Sequence, residues 1–155
     1  MIVTIDTNVV INTCKNLSWD HLDVLSLIRT RSHVVALDTE GKILAEYRGN
    51  CSGIELFEKR YQEIWQRVQQ VSGQLEQRHM TRLTRVGCHE TSDYVFVAIA
   101  RRTDRYLVAE DSDFGTGHLN RALAKAGVTA YMREKLDLTV HDAQEARNHL
   151  SGSRS

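Results

Sequence analysis

Met1-Ile2-Val3-Thr4-Ile5-Asp6-Thr7-Asn8 is a short apolar run that ends in a carboxylate and two small polar residues. Its β-branched side chains and polar boundary predict a strand over Ile2–Ile5. Such a strand delivers Asp6 to a turn at its C-terminal end, and ligands of open α/β sheets bind outside the carboxyl ends of strands. The fold therefore turns on whether further strand–helix units follow. The function turns on whether other acids reach the same edge.

Further units do follow. Short apolar segments bounded by polar residues or glycine predict strands over 33–37, 105–109 and 128–131, and the alternation of Leu136, Leu138 and Val140 allows a fifth. Helical periodicity fills the gaps at 20–30, 41–49, 92–102 and 118–126. Strands alternating with helices predict an α/β fold, a three-layer α/β/α sandwich around a central, mostly parallel sheet. From Ser52 onward the pattern is a long helix. Ser52 and Glu55 match a capping box, and Ile54, Phe57, Tyr61, Ile64, Val68, Val71 and Leu75 recur at heptad spacing. That seam reads as core packing or as a projecting helix that pairs with a second chain, which leans towards a homodimer; Gly73 is placed to end the helix early.

The chain has 155 residues, which suits one domain over 1–150 with a disordered tail over 151–155. The longest apolar run, 94–100, falls far short of the roughly 20 residues that span a bilayer, and no secretory signal pattern is present. Cys14, Cys51 and Cys88 are scattered and form no CxxC pair, which disfavours structural zinc and a disulfide framework and suits a reduced, cytoplasmic protein. Formal net charge is zero, which by itself argues mildly against a nucleic-acid partner. Yet 15 of the 20 cations are arginine, whose fork suits phosphate. Were five acids gathered in one pocket, the remaining surface would carry an excess of five cations. Arg78, His79, Arg82 and Arg85 form a basic stretch without acids that reads as a solvated face or as a phosphate contact.

Asp6 alone reads equally well as a helix cap. Asp111 and Asp113 follow a second predicted strand and again fall at its C-terminal end, with Glu110 just before them. Asp93 starts a helix, where a carboxylate is favoured by the dipole. Phe96, Val97 and Ala100 lie three, four and seven residues on, so Asp93 belongs to the apolar stripe and needs a partner there. Glu46 sits at the border of another apolar face beside Ile43 and Tyr47; paired with Arg48 it would be an ordinary boundary residue. Together, two strand ends and two helices aim carboxylates at one edge of the sheet. Clustered carboxylates must protonate or bind a cation. An all-oxygen set without His or Cys suits a hard divalent cation such as Mg²⁺ and disfavours zinc. Such a site suits metal-assisted phosphodiester hydrolysis.

These pieces, Ile5-Asp6-Thr7-Asn8, Ile43-Leu44-Ala45-Glu46-Tyr47, Ser92 to Ala100, and Leu107 to Phe114, make the chain resemble the PIN-domain nucleases, in whose order they occur over most of residues 1–131. The resemblance implies a parallel sheet flanked by helices and an Mg²⁺ or Mn²⁺ site that cleaves RNA. It implies Asp6, Glu46, Asp93 and Asp111 as ligands and water-positioning acids, Asp113 as a further metal ligand and Asn8 as support for Asp6. Ala109-Glu110 departs from the Thr-Gly of many members. The function so implied is an endoribonuclease, as the toxin of a toxin–antitoxin pair with an antitoxin partner, or in RNA processing or defence. A non-catalytic RNA-binding or scaffold protein is the alternative. A receiver domain is disfavoured because Asp6 is the one acid after the first strand. An Asp-x-Asp phosphatase is disfavoured because Asn8 fills the second position.

Overall fold

The computed structural model describes residues 1–14, 19–62, 67–88, 90–110 and 126–152. Along the chain run β1 (Ile2–Ile5), α1 (Thr7–Cys14), α2 (Trp19–Thr30), β2 (Val34–Asp38), α3 (Lys42–Cys51), a π-helical turn (Phe57–Tyr61), β3 (Val68–Val71), α4 (Gln77–Val86), α5 (Thr91–Arg102), β4 (Tyr106–Val108), α6 (Ala126–Glu134), β5 (Thr139–His141) and α7 (Ala143–Gly152). The strands form one five-stranded, all-parallel sheet in the order β3-β2-β1-β4-β5. The architecture is a single α/β domain with helices flanking that sheet.

Val3, Thr4 and Ile5 are buried in succession, as are Val35, Ala36 and Leu37, because a parallel sheet is covered on both faces. Register fixes which side chains share a face. Thr4 pairs with Leu107 and Ile5 with Val108, while Ile2 pairs with Val34. Carrying the two-residue alternation onward puts Asp6 and Asp38 on one face and Glu110 on the other. The first face is covered by α5, which packs on β1, β2 and β4, and by α3, which packs on β2 and α5. Residues 93–100 of α5 are all buried, so this helix is apolar nearly all round, as a central helix must be. The opposite side carries α7, packed on β5 and on α2.

The order of strands reverses beside β1, which has β2 on one side and β4 on the other. The crevice between β1 and β4 is the topological switch point where such sheets bind ligands. Asp6 stands there, its backbone N–H donating to the Val108 carbonyl at 2.9 Å.

Several expectations are corrected. The segment 128–131 is helix within α6, and Val128, Tyr131 and Met132 are buried at helical spacing despite their strand-like composition. The heptad pattern from Ile54 to Leu75 is not one helix: it breaks after the π-helical turn and continues as β3, an edge strand paired with β2 from Val35 to Asp38. Non-local pairing with β2 overrides the local helical spacing, and the seam no longer argues for a homodimer. Gly73 ends no helix; a Cβ there would lie 2.9 Å from both Asp38 Cβ and Val95 Cγ1, so close backbone approach demands glycine. Ser52 follows α3 and gives its N–H to the Arg48 carbonyl, in place of the capping box. The helix over 118–126 lies outside the described residues except for Ala126, and α7 takes in Ser151 and Gly152 of the expected tail. Among the described residues no helix is long and apolar enough to cross a membrane.

Candidate functional site

Three elements bring acids to the α3–α5 face at the switch point. Asp6, 2% exposed, follows β1, and Asp93, 7% exposed, lies in the first turn of α5. Glu46 is half-buried on α3. Carboxylates this buried are costly unless charge or hydrogen bonds compensate. Tyr47 lies among Asp6, Glu46 and Asp38: its phenol is pushed well above its ordinary value by burial first and then by those three charges. Asn8 is half-buried in the first turn of α1.

Asp38 is an acid that sequence reading left out. It ends β2, is 1% exposed, and accepts the Lys42 N–H on Oδ2 and the Ile43 N–H on Oδ1, both at 2.9 Å. It thereby caps α3 and fixes the helix that carries Glu46. The signal was available: Leu37-Asp38 repeats the apolar-strand-then-aspartate pattern of Ile5-Asp6, but the strand was ended one residue early.

Beside these acids a cleft of about 300 Å³ is lined by Lys42, Ile43, Glu46, Thr91, Ser92 and Val95. It lies between the start of α3 and the start of α5. The acids offer hard oxygen donors, the chemistry of Mg²⁺ or Mn²⁺, and Mg²⁺ is commonly held by one or two carboxylates with waters filling the rest. The donor set fits such an ion in kind. Among the described residues no group of three or more His, Cys, Asp or Glu is set to hold a metal by itself. Asp111 and Asp113 lie outside the described residues.

Glu110 is turned the other way. Its Oε1 accepts the Ala143 N–H at the start of α7 at 2.7 Å and lies 3.5 Å from His21 Nε2 on α2. Both side chains are almost fully buried, 2% exposed for Glu110 and 3% for His21. The residue that departs from the Thr-Gly pattern is thus a structural anchor on the opposite face of the sheet.

Arg78, Arg82 and Arg85 lie along one exposed stripe of α4, whose other face buries His79 and Leu83. Arg78 is held by Glu76 at 2.7 Å, and Glu76 also takes Arg101 at 2.9 Å. The C-terminal end of α4 is fastened to α5, because the Tyr94 hydroxyl donates to the Cys88 carbonyl at 2.7 Å and hydrogen-bonds the Thr84 hydroxyl. The stripe therefore leads towards the start of α5 and the cleft.

No protein-family model matches the chain, and no curated protein matches it. Among solved structures, the chain is similar to one described as VapBC2 from Rickettsia felis bound to a DNA fragment from their promoter, with a TM-score of 0.51 at 12% identity over 92% of this chain and 98% of that one. At that identity the likeness speaks for the fold.

Proposed function

We propose that the chain is a PIN-like, Mg²⁺- or Mn²⁺-dependent endoribonuclease. The observation that carries this reading is that Asp6, at a strand end, and Glu46 and Asp93, on the two helices packed over that face, all stand on the switch-point side of the sheet, where Glu46 lines the cleft. By resemblance, Asp111 and Asp113 complete the set. Asp6, Asp93 and Asp111, with Asp113, would hold the ion, and Glu46 would orient the attacking water. When bound, the ion supplies charge neutralisation at the attacked phosphate and a more acidic water. The chain's own residues do the rest. Burial of Asp6 and Asp93 keeps their carboxylates in a medium where charge interactions are strong. Lys42 and the N-terminal turn of α5, with Thr91 and Ser92, bring donors and positive potential to the side facing the acids, which suits a phosphodiester. A carboxylate such as Asp111 would take the proton of the attacking water as its oxygen bonds to phosphorus, the P–O3′ bond breaks, and the leaving 3′ oxygen takes a proton from solvent. Products then carry 5′-phosphate and 3′-hydroxyl ends.

Arg78, Arg82 and Arg85 are the proposed RNA contacts. The likeness to a VapBC complex supports a toxin held by an antitoxin-type partner as the biological setting. Cleavage of RNA is measured with Mg²⁺ or Mn²⁺ for the wild type and for Asp93→Asn and Asp6→Asn. Wild-type cleavage that needs the metal and drops by about a hundredfold or more in either variant is expected. Equal cleavage by all three, or activity without metal, sinks the reading. Failure of the wild type to bind Mn²⁺ in calorimetry would favour the non-catalytic scaffold instead.

A further inference from the structure

Tyr47 stands next to Glu46 on α3, and its hydroxyl donates to the carbonyl of Ile5, the residue before Asp6. The ring is 1% exposed and packs against Phe96 with centroids 6.4 Å apart and planes tilted by 41°. Phe96 lies one helical turn beyond Asp93 on α5. One side chain thus touches each of the three elements that carry the candidate acids. A buried hydroxyl needs an acceptor, and this one uses the carbonyl that anchors the exit of β1. A phenylalanine would fill the same space and keep the Phe96 contact, but would leave the Ile5 carbonyl without this donor.

We propose that Tyr47 is a positioning residue of the acidic site: its hydroxyl sets the separation of Asp6 from Glu46 and Asp93, and through that separation the affinity for the divalent ion. The proposal rests on the nuclease reading above. Groups behind a metal's direct ligands change affinity by roughly 10–100-fold when altered. Mn²⁺ is titrated by calorimetry into the full-length wild type, Tyr47→Phe, and Ile28→Val, a core truncation in α2 away from the acids. Tyr47→Phe is expected to bind Mn²⁺ about tenfold more weakly, with cleavage recovered at high Mn²⁺. Ile28→Val is expected to melt earlier with its Mn²⁺ midpoint unchanged. A wild type that neither binds Mn²⁺ nor cleaves RNA overturns the nuclease reading and this proposal together. A functional wild type with an equal midpoint in Tyr47→Phe overturns this proposal alone. So does a Tyr47→Phe protein that fails to fold, because the hydroxyl would then be holding the fold and not the site.

Discussion

Glu110 shows how one residue's parity decides its role. It lies two residues beyond Val108, so it points to the same side as Val108 and Tyr106, away from Asp6. There it meets the first N–H of α7 and the imidazole of His21 in surroundings with almost no water. Removing Glu110 leaves the buried Ala143 N–H without this acceptor, at a cost of about 1–3 kcal/mol. Glu110→Ala is expected to lose that much in denaturant unfolding, and Glu110→Gln clearly less, since an amide oxygen still accepts from Ala143. Equal stability of Glu110→Ala and the wild type would mean that water reaches the pair. The sequence alone could not supply the direction, because it depends on the register of β4 against β1, in which Ile5 pairs with Val108. The burial of Asp93 was legible in the sequence, because Phe96, Val97 and Ala100 place it on the apolar stripe of its helix. Asp38 escaped because its strand was ended too soon, and Tyr47 because a tyrosine on an apolar stripe looks like ordinary core.

At the scale of elements, β3 lies inside the stretch whose spacing predicts a helix. The spacing from Ile54 to Leu75 satisfies a helical seam, yet Val68-Gln69-Gln70-Val71 gains more by pairing with β2, a partner 33 residues away in register. Long-range pairing of this kind leaves no mark in a local window, which is also why 128–131 passed for a strand. What was legible in α4 was its basic stretch, and the helix now gives that stretch a geometry. Arg78 spends its charge on Glu76 in an exposed pair, worth little to stability. Arg82 and Arg85 stand nearer the end of α4 that is fastened to α5. Each phosphate contact on single-stranded nucleic acid contributes about 0.7 to the slope of log affinity against log salt. Replacing Arg82 and Arg85 by glutamine is therefore expected to weaken RNA binding and reduce that slope by about 1.4, while Arg78→Gln alone changes it less. An unchanged slope in the double variant would make the stripe a plain solvated face.

Over the whole molecule, the parallel sheet flanked by helices followed from the alternation of strands and helices. Closure of the far side did not, because it rests on aromatic and histidine contacts between distant segments. Tyr106 on β4 stacks on His149 of α7 at 5.1 Å and hydrogen-bonds His141 Nδ1 at 3.0 Å, and His141 meets His149 edge to face. His33, just before β2, is bonded through Nδ1 to the Met1 amine at 2.9 Å. Burial lowers His33 first, followed by the charges of the Met1 amine, Arg31 and His149. Burial also lowers His141 first; His149 and Arg133 add to this, and Glu145 and Asp142 oppose it. Both imidazoles are therefore neutral in the fold at pH values where an unfolded chain, with histidine near 6.5, already takes up protons. The unfolded state binds more protons below that value, so stability is full above about pH 6.5 and falls as the pH drops towards the lowered folded values. Denaturant midpoints are expected to decline between about pH 7 and pH 5, and His141→Phe to flatten the decline even though it loses the bond to Tyr106. A midpoint that holds steady or rises on acidification would mean that these histidines are as hydrated in the fold as out of it. The seam between α7, β4 and β5 would then be open to water, and the closure of the sheet's far side would have to come from the apolar contacts of α7 with α2.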